Sequence, residues 1–499
     1  MTHRFVAAAL TTTALAAPAF AQFVEPATII HSWSGESAND QFGFINRNLG
    51  DVDGDGINDI GVGVPIRDEG GNDAGKAYIY SGATGALIRA HVGDRANAGL
   101  GYEMGGVGDL NNDGANEYVI GAPDTAQLGV PGIGPGRALL FDGATGALLH
   151  TWTGENTGDI FGNLVAGCGN VLNDTAGDVD GDGVFDILVC AAFYNPGTTG
   201  RAYVYSGADY TPIHIIDAPT NGGIFGLGAG GIGDITGDGK SELVIAAPGA
   251  STGGLAFVYD GATGAQLPFS PLVPDATAAF FGNLFASGPG DIDADGTPDI
   301  FISDLGDDEN GNNAGKSYVF SGADGSRILT IPGPAAEDQF GVGRGCGDAN
   351  GDGVPDFIIA SYISSAFSPQ AGRAFLVSGT DGRFLRSITR RANNQLFGWS
   401  CVGAGDLNAD GYPDFAISSL TNGGGANPQR GRVYVIAGEP EPLCVADCDA
   451  NAAVNIDDID CFVAAFLAAD PISADCDQSG TINLDDLDCF VATFLAGCP

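Results

Sequence analysis

Short runs of apolar residues, separated by turns rich in Gly, Asp, Asn and Pro, dominate the chain from about residue 28 to residue 438. The runs are rich in β-branched and aromatic side chains, as in 60–65, 76–80 and 118–123. Short runs of this kind, bounded by turn-forming residues, are typical of β-strands. No sustained helical period occurs before residue 456. The pattern therefore predicts an all-β body over most of the chain.

The runs recur in a fixed order seven times. Each repeat opens with Phe-Gly (Leu-Gly in the second), passes through an acidic loop into an apolar run, and ends with two further runs around a short turn. The acidic loops begin 56 to 69 residues apart, at Asp51, Asp109, Asp178, Asp234, Asp291, Asp348 and Asp406. Four strands in each of seven repeats predict a seven-bladed β-propeller.

The two ends of this region predict how the ring closes. The third run of the last repeat, 431–438, is followed by Glu439-Pro440-Glu441-Pro442 and not by a fourth strand. The segment 28–36 precedes the first repeat, and its sequence from Ile29 to Glu36 matches the fourth strand at 148–155 position for position. We therefore expect 28–36 to complete the seventh blade, which leaves no exposed sheet edge.

The acidic loops have the spacing of a cation site. Oxygen-bearing side chains at positions 1, 3, 5 and 9 and the carbonyl at position 7 converge on one hard cation, while Gly at position 6 allows the sharp turn. The predicted ligands are Asp51, Asp53, Asp55, Ile57 and Asp59; Asp109, Asn111, Asp113, Ala115 and Glu117; Asp178, Asp180, Asp182, Val184 and Asp186; Asp234, Thr236, Asp238, Lys240 and Glu242; Asp291, Asp293, Asp295, Thr297 and Asp299; Asp348, Asn350, Asp352, Val354 and Asp356; and Asp406, Asn408, Asp410, Tyr412 and Asp414.

Calcium suits these loops better than Mg²⁺, which prefers a smaller, water-rich octahedral shell. The loops hold 24 carboxylates that repel one another without cations, so we expect binding of up to seven Ca²⁺ ions to be coupled to folding. The second and fourth loops, with Asn111 and Thr236 at position 3, are expected to bind more weakly.

Charge narrows the range of partners. Acidic residues outnumber basic ones 62 to 19, which gives a formal net charge of −43. Such a field repels nucleic acids and anionic lipid surfaces, so neither is an expected partner, whereas cations are. No segment reaches the ~20 apolar residues of a membrane span.

The first 21 residues have the order of a signal peptide: a basic start, an apolar stretch and Ala19-Phe20-Ala21 as a cleavage site. We therefore expect a secreted, extracellular or cell-surface protein. All ten Cys follow this segment, so disulfides are expected. The expected pairs are Cys168 with Cys190, Cys346 with Cys401 and Cys444 with Cys498, while Cys448, Cys461, Cys476 and Cys489 pair among themselves.

Beyond a linker at 440–443, residues 444–499 form a second predicted domain. A unit of 28 residues occurs twice there, and each copy has oxygen-bearing side chains at positions 1, 3, 5, 9 and 12, which is EF-hand spacing. Each loop leads into an apolar helical stretch, 459–468 or 487–496. The two predicted calcium sites are Asp447, Asp449, Asn451, Asn455 and Asp458, and Asp475, Asp477, Ser479, Asn483 and Asp486. A disulfide knot with solubilising acids is the alternative.

Three motifs in fixed order — Phe-Gly, the acidic loop and a Gly-Ala-Pro-like run such as Ile120-Gly121-Ala122-Pro123 — resemble FG-GAP repeats, the units of the integrin α-subunit propeller. The resemblance covers about 28–438, within a predicted propeller domain of 22–439. It implies calcium in the loops of one face and ligand binding on the opposite face. There we mark segments 66–74, 124–135, 193–199, 304–314 and 362–371, whose sequences differ between blades.

The tail resembles a Cys-containing dockerin domain, which implies a small α-helical fold and a cohesin-like or cell-surface partner. Ala452 stands at position 6 of the first loop where Gly is usual, and Ile456-Asp457 and Leu484-Asp485 replace the Ser-Thr pairs of many partner-binding dockerins. These departures point to a partner other than a usual cohesin.

No catalytic residue is predicted. Of the four His after residue 21, three (His31, His150 and His214) share one fourth-strand position, which indicates a structural role, and no nucleophile or phosphate-binding motif is present. The predicted function is a secreted calcium-binding propeller that recognises a protein or glycan ligand and is attached through its tail. The alternatives are a polysaccharide-processing enzyme that uses acids such as Asp124 or Asp304, and a structural surface-layer component.

Overall fold

The computed structural model describes residues 22–25, 27–125, 132–169, 177–194, 199–219, 223–421 and 430–438. The predicted signal peptide and the predicted tail domain, with its calcium loops, helices and six Cys, lie outside these residues. Within them the chain forms 27 β-strands in seven sheets and no α-helix.

The strands are antiparallel neighbours in chain order. They are β1 (Ile29–Ser34), β2 (Ile45–Asn48), β3 (Ile60–Val64), β4 (Lys76–Tyr80), β5 (Leu87–Val92), β6 (Met104–Gly106), β7 (Tyr118–Ala122), β8 (Arg137–Phe141), β9 (Leu148–Thr153), β10 (Leu164–Gly167), β11 (Ile187–Ala191), β12 (Arg201–Tyr205), β13 (Pro212–Asp217), β14 (Ala229–Gly233), β15 (Glu242–Ala247), β16 (Leu255–Tyr259), β17 (Ala286–Gly290), β18 (Asp299–Asp304), β19 (Lys316–Phe320), β20 (Arg327–Pro332), β21 (Phe340–Gly347), β22 (Asp356–Ser361), β23 (Arg373–Val377), β24 (Phe384–Thr389), β25 (Phe397–Gly405), β26 (Asp414–Ser419) and β27 (Arg432–Ile436).

Each sheet is one blade of the predicted seven-bladed propeller. Blades 1, 2 and 3 are β2–β5, β6–β9 and β10–β13; blade 4 is β14–β16; blades 5 and 6 are β17–β20 and β21–β24; blade 7 is β25, β26, β27 and β1. Strand β1 pairs antiparallel with β27, so that Trp33 stands opposite Val433 and Ser34 opposite Arg432. This is the ring closure that the sequence match between 29–36 and 148–155 predicts.

Blade 4 departs from the predicted four strands. After β16 only two isolated bridges form, Tyr259 with Gln266 and Ala256 with Leu272. The segment between β16 and blade 5 contains Pro268, Pro271 and Pro274. Proline has no N–H to donate to a ladder, which explains why a regular fourth strand does not form there.

The hydrophobic core lies between blades. One cluster joins Phe42 and Val62 of blade 1 to Val402 and Val433 of blade 7, and each further pair of adjacent blades contributes to such a cluster. The Phe of every Phe-Gly motif is at most 1% exposed: Phe42, Phe161, Phe225, Phe281, Phe340 and Phe397. The repeated Phe is therefore an anchor of the core between blades.

Glycine in the first strands allows the blades to meet closely. A Cβ at Gly231 of β14 would lie 1.7 Å from the carbonyl oxygen of Cys168, and one at Gly106 of β6 would lie 2.6 Å from that of Leu49. No side chain fits these contacts, so the abundant glycine is a requirement of ring packing as well as of turns.

The two disulfides predicted within the propeller are wrong, because all four Cys are free and buried. Cys190 stands opposite Leu164 in the β10–β11 ladder, whereas the N–H of Cys168 bonds to the carbonyl of Asp186. The two Cys are thus four ladder positions apart, on the order of 13 Å along the strand, while a disulfide requires Cα atoms within about 7 Å.

Cys346 and Cys401 do lie on the neighbouring first strands β21 and β25, but out of register. The residue that packs on Cys346 is Gly403, where a Cβ would lie 2.8 Å from the Cα of Cys346. The thiol of Cys401 points to the carbonyl oxygen of Val342 at 2.9 Å. The offset between the strands separates the two sulfur atoms.

Residues 22–25 form a contact that the sequence did not predict. Phe23 is 1% exposed and packs edge-on against Phe397 and Tyr434 of blade 7. The N–H of Val24 bonds to the carbonyl of Thr389 in blade 6. This short segment therefore fills the seam between blades 6 and 7, beside the strand that closes the ring.

Candidate metal centres

The seven acidic loops connect the first strand of each blade to the second, so all lie on one face, the acidic-loop face. The short turns between third and fourth strands lie on the same face. The segments marked as variable join second to third strands, so they lie on the opposite, variable face. Residues 126–131 and 195–198 of those segments are outside the described residues.

The carboxylate at position 1 organises each loop from within. In blade 1, Asp51 accepts the N–H groups of Gly54, Asp55 and Gly56 at 2.7, 3.1 and 2.7 Å. In each of the other six blades, the aspartate at position 1 accepts at least two N–H groups of its own loop. The loop is thus folded around a carboxylate that still has free lone pairs.

Positions 5 and 7 of the loop are joined by a hydrogen bond in every blade. The side chain at position 5 accepts the N–H of position 7, as Asp55 does from Ile57 at 2.9 Å. The equivalent bonds involve Asp113 and Ala115, Asp182 and Val184, Asp238 and Lys240, Asp295 and Thr297, Asp352 and Val354, and Asp410 and Tyr412. The carbonyl of position 7 remains a predicted ligand.

Position 9 carries the most informative residue of each loop. The seven acids there are 0% exposed: Asp59, Glu117, Asp186, Glu242, Asp299, Asp356 and Asp414. Each accepts the N–H of position 2, as Asp59 does from Val52 at 2.8 Å. Six also accept the N–H of the glycine after the third strand, such as Gly82 for Asp59. The position 9 acid therefore ties the loop to the blade.

Burial changes the acidity of these groups. It raises the pKa of Asp59, Glu117, Asp186 and Glu242 to about 7, and that of Asp299, Asp356 and Asp414 to about 6. Backbone hydrogen bonds lower these pKa values and neighbouring loop carboxylates raise them further. A nearby cation would relieve both the burial cost and the repulsion.

Five blades bring three carboxylates together, with ligand oxygens all within 4.8 Å of one another. These groups are Asp51, Asp53 and Asp59; Asp178, Asp180 and Asp186; Asp234, Asp238 and Glu242; Asp291, Asp293 and Asp295; and Asp113, Glu117 and Asp142. Blades 6 and 7 have an amide at position 3, Asn350 and Asn408, and two loop carboxylates beside the buried acid.

Asp142 was not predicted as a ligand. It follows β8 and begins the turn to β9, where its second oxygen lies 3.3 Å from the amide nitrogen of Asn111. A signal was present in the sequence: Asp stands at this turn position only in blades 2 and 4 (Asp142 and Asp260), the two blades with Glu at position 9. Asp142 is thus the third carboxylate of the cluster with Asp113 and Glu117 and comes from outside the loop. The expectation of weaker binding in blade 2 did not include this ligand.

The four His among the described residues have structural partners. The Nε2 atom of His31 lies 2.8 Å from the carbonyl oxygen of Gly82 in blade 1, and that of His214 lies 2.6 Å from that of Gly261. His91 contacts the hydroxyl of Tyr118 at 2.8 Å, and His150 packs against Tyr210 in the turn of blade 3, with ring centroids 5.1 Å apart. Each side chain joins its outer strand to neighbouring structure, as the shared positions predict.

The two acids considered for catalysis, Asp124 and Asp304, are buried and bonded to other groups of the protein. Asp124 is 2% exposed and forms a two-pronged ion pair with Arg95. Asp304 is fully buried, accepts the N–H groups of Ala279, Phe280 and Gly306, and has its pKa raised to about 6 by burial. Neither is a solvent-facing acid aimed at a substrate.

Comparison with known proteins agrees with this geometry. The FG-GAP-like repeat family matches residues 348–417, from the acidic loop of blade 6 into β26. Integrin alpha-5 of Xenopus laevis is 27% identical over 227 residues, which is 42% of this chain and 20% of the relative. Integrin alpha-V of Gallus gallus is 28% identical over 216 residues, 41% of this chain and 20% of the relative. The seven sheets and these matches support an FG-GAP β-propeller.

The chain spans about a fifth of the length of these integrin relatives. A solved structure of BBS1N in complex with ARL6DN aligns over 83% of this chain with a TM-score of 0.48 and 8% identity. Within the described residues no helix has the length and apolar character needed to cross a membrane.

Proposed function

We propose that this FG-GAP propeller is a secreted, calcium-stabilised recognition or adhesion module. One observation carries the metal part of the proposal: every blade buries an acid completely at the end of a loop that carries further carboxylates or amides. Seven such acids in seven equivalent frames fit a cation in each loop better than they fit a solvated turn.

Calcium is the cation that the donor set favours. The donors are carboxylate, amide and backbone oxygens, and nitrogen or sulfur ligands are absent from the clusters found among the described residues. Up to seven ions would be held by positions 1, 3, 5, 7 and 9, with Asp142 as an added ligand in blade 2. Since each site is built from the folded loop, binding stabilises the fold.

The ligand is assigned to the variable face. The strands and acidic loops repeat from blade to blade, whereas the connections on the variable face differ in length and sequence. A uniform scaffold with divergent loops on one face suits recognition of a protein or glycan. The similarity to integrin α chains supports adhesion as the purpose, and the engaged Asp124 and Asp304 weigh against catalysis.

Export and attachment complete the proposal. Residues 1–21 would direct secretion, and the dockerin-like tail, 444–499, would bind two Ca²⁺ and anchor the protein to a cohesin-like or cell-surface partner. Calcium is abundant outside cells, so both domains would be folded and loaded where they act.

The test is a pair of measurements on the mature chain. Thermal unfolding of metal-free protein is expected to shift upward on adding Ca²⁺ and less with Mg²⁺, as followed by circular dichroism. Retention on arrays of glycans and extracellular proteins is expected with Ca²⁺ and lost after chelation. An unfolding temperature that ignores calcium refutes the metal sites; calcium-stabilised protein that binds nothing refutes the adhesion role.

A further inference from the structure

The first strands of the blades surround an axial channel, which holds two adjacent cavities. The larger, of about 500 Å³, opens on the variable face, since Gly306, Asn313 and Tyr362 of the variable segments line it. The smaller, of about 70 Å³, lies further in. Arg47 and Glu103 line both cavities and mark where they meet.

The charges around the smaller cavity do not balance. Arg47 and Glu103 form a two-pronged ion pair, with both nitrogen–oxygen distances at 2.9 Å. Arg344 of β21 also lines this cavity and is 7% exposed. Within the described part of the chain its guanidinium has no hydrogen bond or ion pair, and its Nε atom is buried without a partner. Two guanidinium groups thus line this cavity, and its one lining carboxylate, Glu103, is paired with Arg47 alone.

An unpaired buried cation is costly, and this chain has many acids with which it could have been paired. Burial, with Arg47 nearby, lowers the pKa of Arg344 to about 9, so the group is still charged at neutral pH. The ring of Phe285 lies beside it, with its centre 5.7 Å from the guanidinium carbon. A buried group of this kind is explained when an external anion completes its shell.

The larger cavity is lined by aromatic and amide side chains. Six aromatic side chains line it. Four of them are in mutual contact: the ring centroid of Phe44 lies 5.3 Å from that of Tyr102 and 5.9 Å from that of Trp399, and that of Tyr362 lies 5.1 Å from that of Trp399. Five amides stand among them: Gln41, Asn163, Asn283, Asn313 and Gln339. Aromatic faces stack on the C–H face of a sugar ring, and amides both donate to and accept from hydroxyl groups.

We propose that the axial channel binds a carboxylate-bearing sugar, a uronic acid of an acidic glycan. The carboxylate lies in the smaller cavity against Arg344 and Arg47, and the sugar ring lies between the aromatic and amide side chains of the larger one. This inference rests on the proposed recognition function and names the class of ligand that the variable face takes.

Calorimetric titration of the calcium-loaded mature chain with glucuronate, glucose and acetate tests the proposal. Glucuronate should bind at least about tenfold more tightly than glucose, which lacks the charge, and than acetate, which lacks the ring. Equal affinity for glucose, equal affinity for acetate, or no binding of glucuronate overturns the assignment. So does tighter binding of benzoate, which indicates a site for an aromatic acid.

The variant Arg344→Met separates a binding role from a structural one. If Arg344 awaits a ligand, the variant loses at least about tenfold in glucuronate affinity, while the ligand-free protein melts at the same or a higher temperature, because an unpaired buried charge is removed. Arg383→Gln, on an exposed turn of the acidic-loop face, should change neither. A variant that melts far lower, together with wild-type protein that does not prefer glucuronate, identifies Arg344 as structural.

Failure here is distinguishable from failure of the proposed function. A chain that shows calcium-dependent retention on a glycan or protein array but does not prefer glucuronate refutes the channel site alone. Loss of all calcium-dependent retention refutes the recognition role and this site with it.

Discussion

A single side chain holds the seam between blades 6 and 7. Phe23 contacts Phe397 and Tyr434, and the guanidinium carbon of Arg390 lies 5.0 Å from the centre of its ring. We predict that Phe23→Ala lowers the free energy of unfolding by about 3–5 kcal/mol, because it removes a fully buried ring and leaves a cavity. Urea denaturation measures the change. Phe367→Ala, at a position that is 50% exposed, should cost less than about 1 kcal/mol; similar losses in both variants would contradict the role of Phe23.

Asp142 tests the metal assignment one residue at a time. Asp142→Asn retains the oxygen that accepts the Thr145 N–H but removes the carboxylate that joins Asp113 and Glu117. We expect the variant to bind about one Ca²⁺ fewer per chain at limiting calcium, as counted by atomic emission after desalting. The matched control is Asp324→Asn, in the corresponding turn of blade 5, where the side chain accepts hydrogen bonds from Ser326 and belongs to none of the acidic clusters found among the described residues. Equal stoichiometry in the two variants would remove Asp142 from the ligand set.

The outer strand of one blade is clasped to the next by an aromatic pair. Trp33 of β1 stacks on Tyr80 of β4 with centroids 4.4 Å apart, and its indole N–H donates to the carbonyl of Gly85 at 2.8 Å. Trp152 repeats the arrangement between blades 2 and 3, with Tyr205 at 4.9 Å. The same Trp–Tyr contact is therefore made by the outer strands β1 and β9. In β1 it also stabilises the strand that closes the ring.

We predict that Trp33→Ala destabilises the protein by about 2 kcal/mol or more, from the lost stacking and hydrogen bond. It should also expose the β27 edge often enough to promote self-association, visible as a concentration-dependent mass in light scattering. Leu87→Ala, on the outer strand of blade 1 at 51% exposure, is the control and should leave both measurements unchanged. A stable monomer after the Trp33 substitution would show that β1 does not depend on the clasp.

The number of blades, the strand order and the ring closure were predictable, because the same motifs occur seven times and the segment Ile29 to Glu36 can be matched with its copy at 148–155. What is specific to one copy was not predictable. Three prolines remove the fourth strand of blade 4, and the register of β10 and β11 separates Cys168 from Cys190. Asp142 lies 25 residues beyond Glu117 and joins it only through the fold. Periodicity predicts what the blades share, whereas contacts between residues distant in sequence are seen only in the folded structure.

Positive and negative side chains are distributed unequally between the two faces of the propeller. Six basic residues begin a third strand, next to the variable face: Lys76, Arg137, Arg201, Lys316, Arg373 and Arg432. Several are paired there, as Lys316 is with Asp275 and Asp307 at 3.3 and 3.2 Å. On the acidic-loop face, Lys240 donates to the carbonyl of Asp180 and not to a carboxylate. The loop carboxylates thus outnumber the basic side chains near them, such as Arg89 beside Asp53 and Arg383 beside Asp352, which is why metal should govern stability.

This arrangement predicts a pH dependence that calcium reverses. The seven position 9 acids have pKa values raised to about 6–7 by burial, above the ordinary value near 4, so the folded metal-free protein binds more protons than the unfolded chain. Protonation of these acids contributes fully to the free energy of unfolding below about pH 4. This contribution is lost as the pH rises through the folded-state pKa values of about 6–7. Metal-free protein should therefore melt at a lower temperature at pH 8 than at pH 5.

Calcium favours the ionised form of the same acids, so its stabilising effect should grow over the interval in which the metal-free protein weakens. We expect the rise in melting temperature on adding saturating Ca²⁺ to be larger at pH 8 than at pH 5, measured by scanning calorimetry on protein freed of metal by dialysis. Sodium chloride at matched ionic strength controls for screening of the net charge of −43. A calcium effect that is the same at both pH values would mean that the buried acids do not face the ion, and that the loops hold calcium through their exposed carboxylates alone.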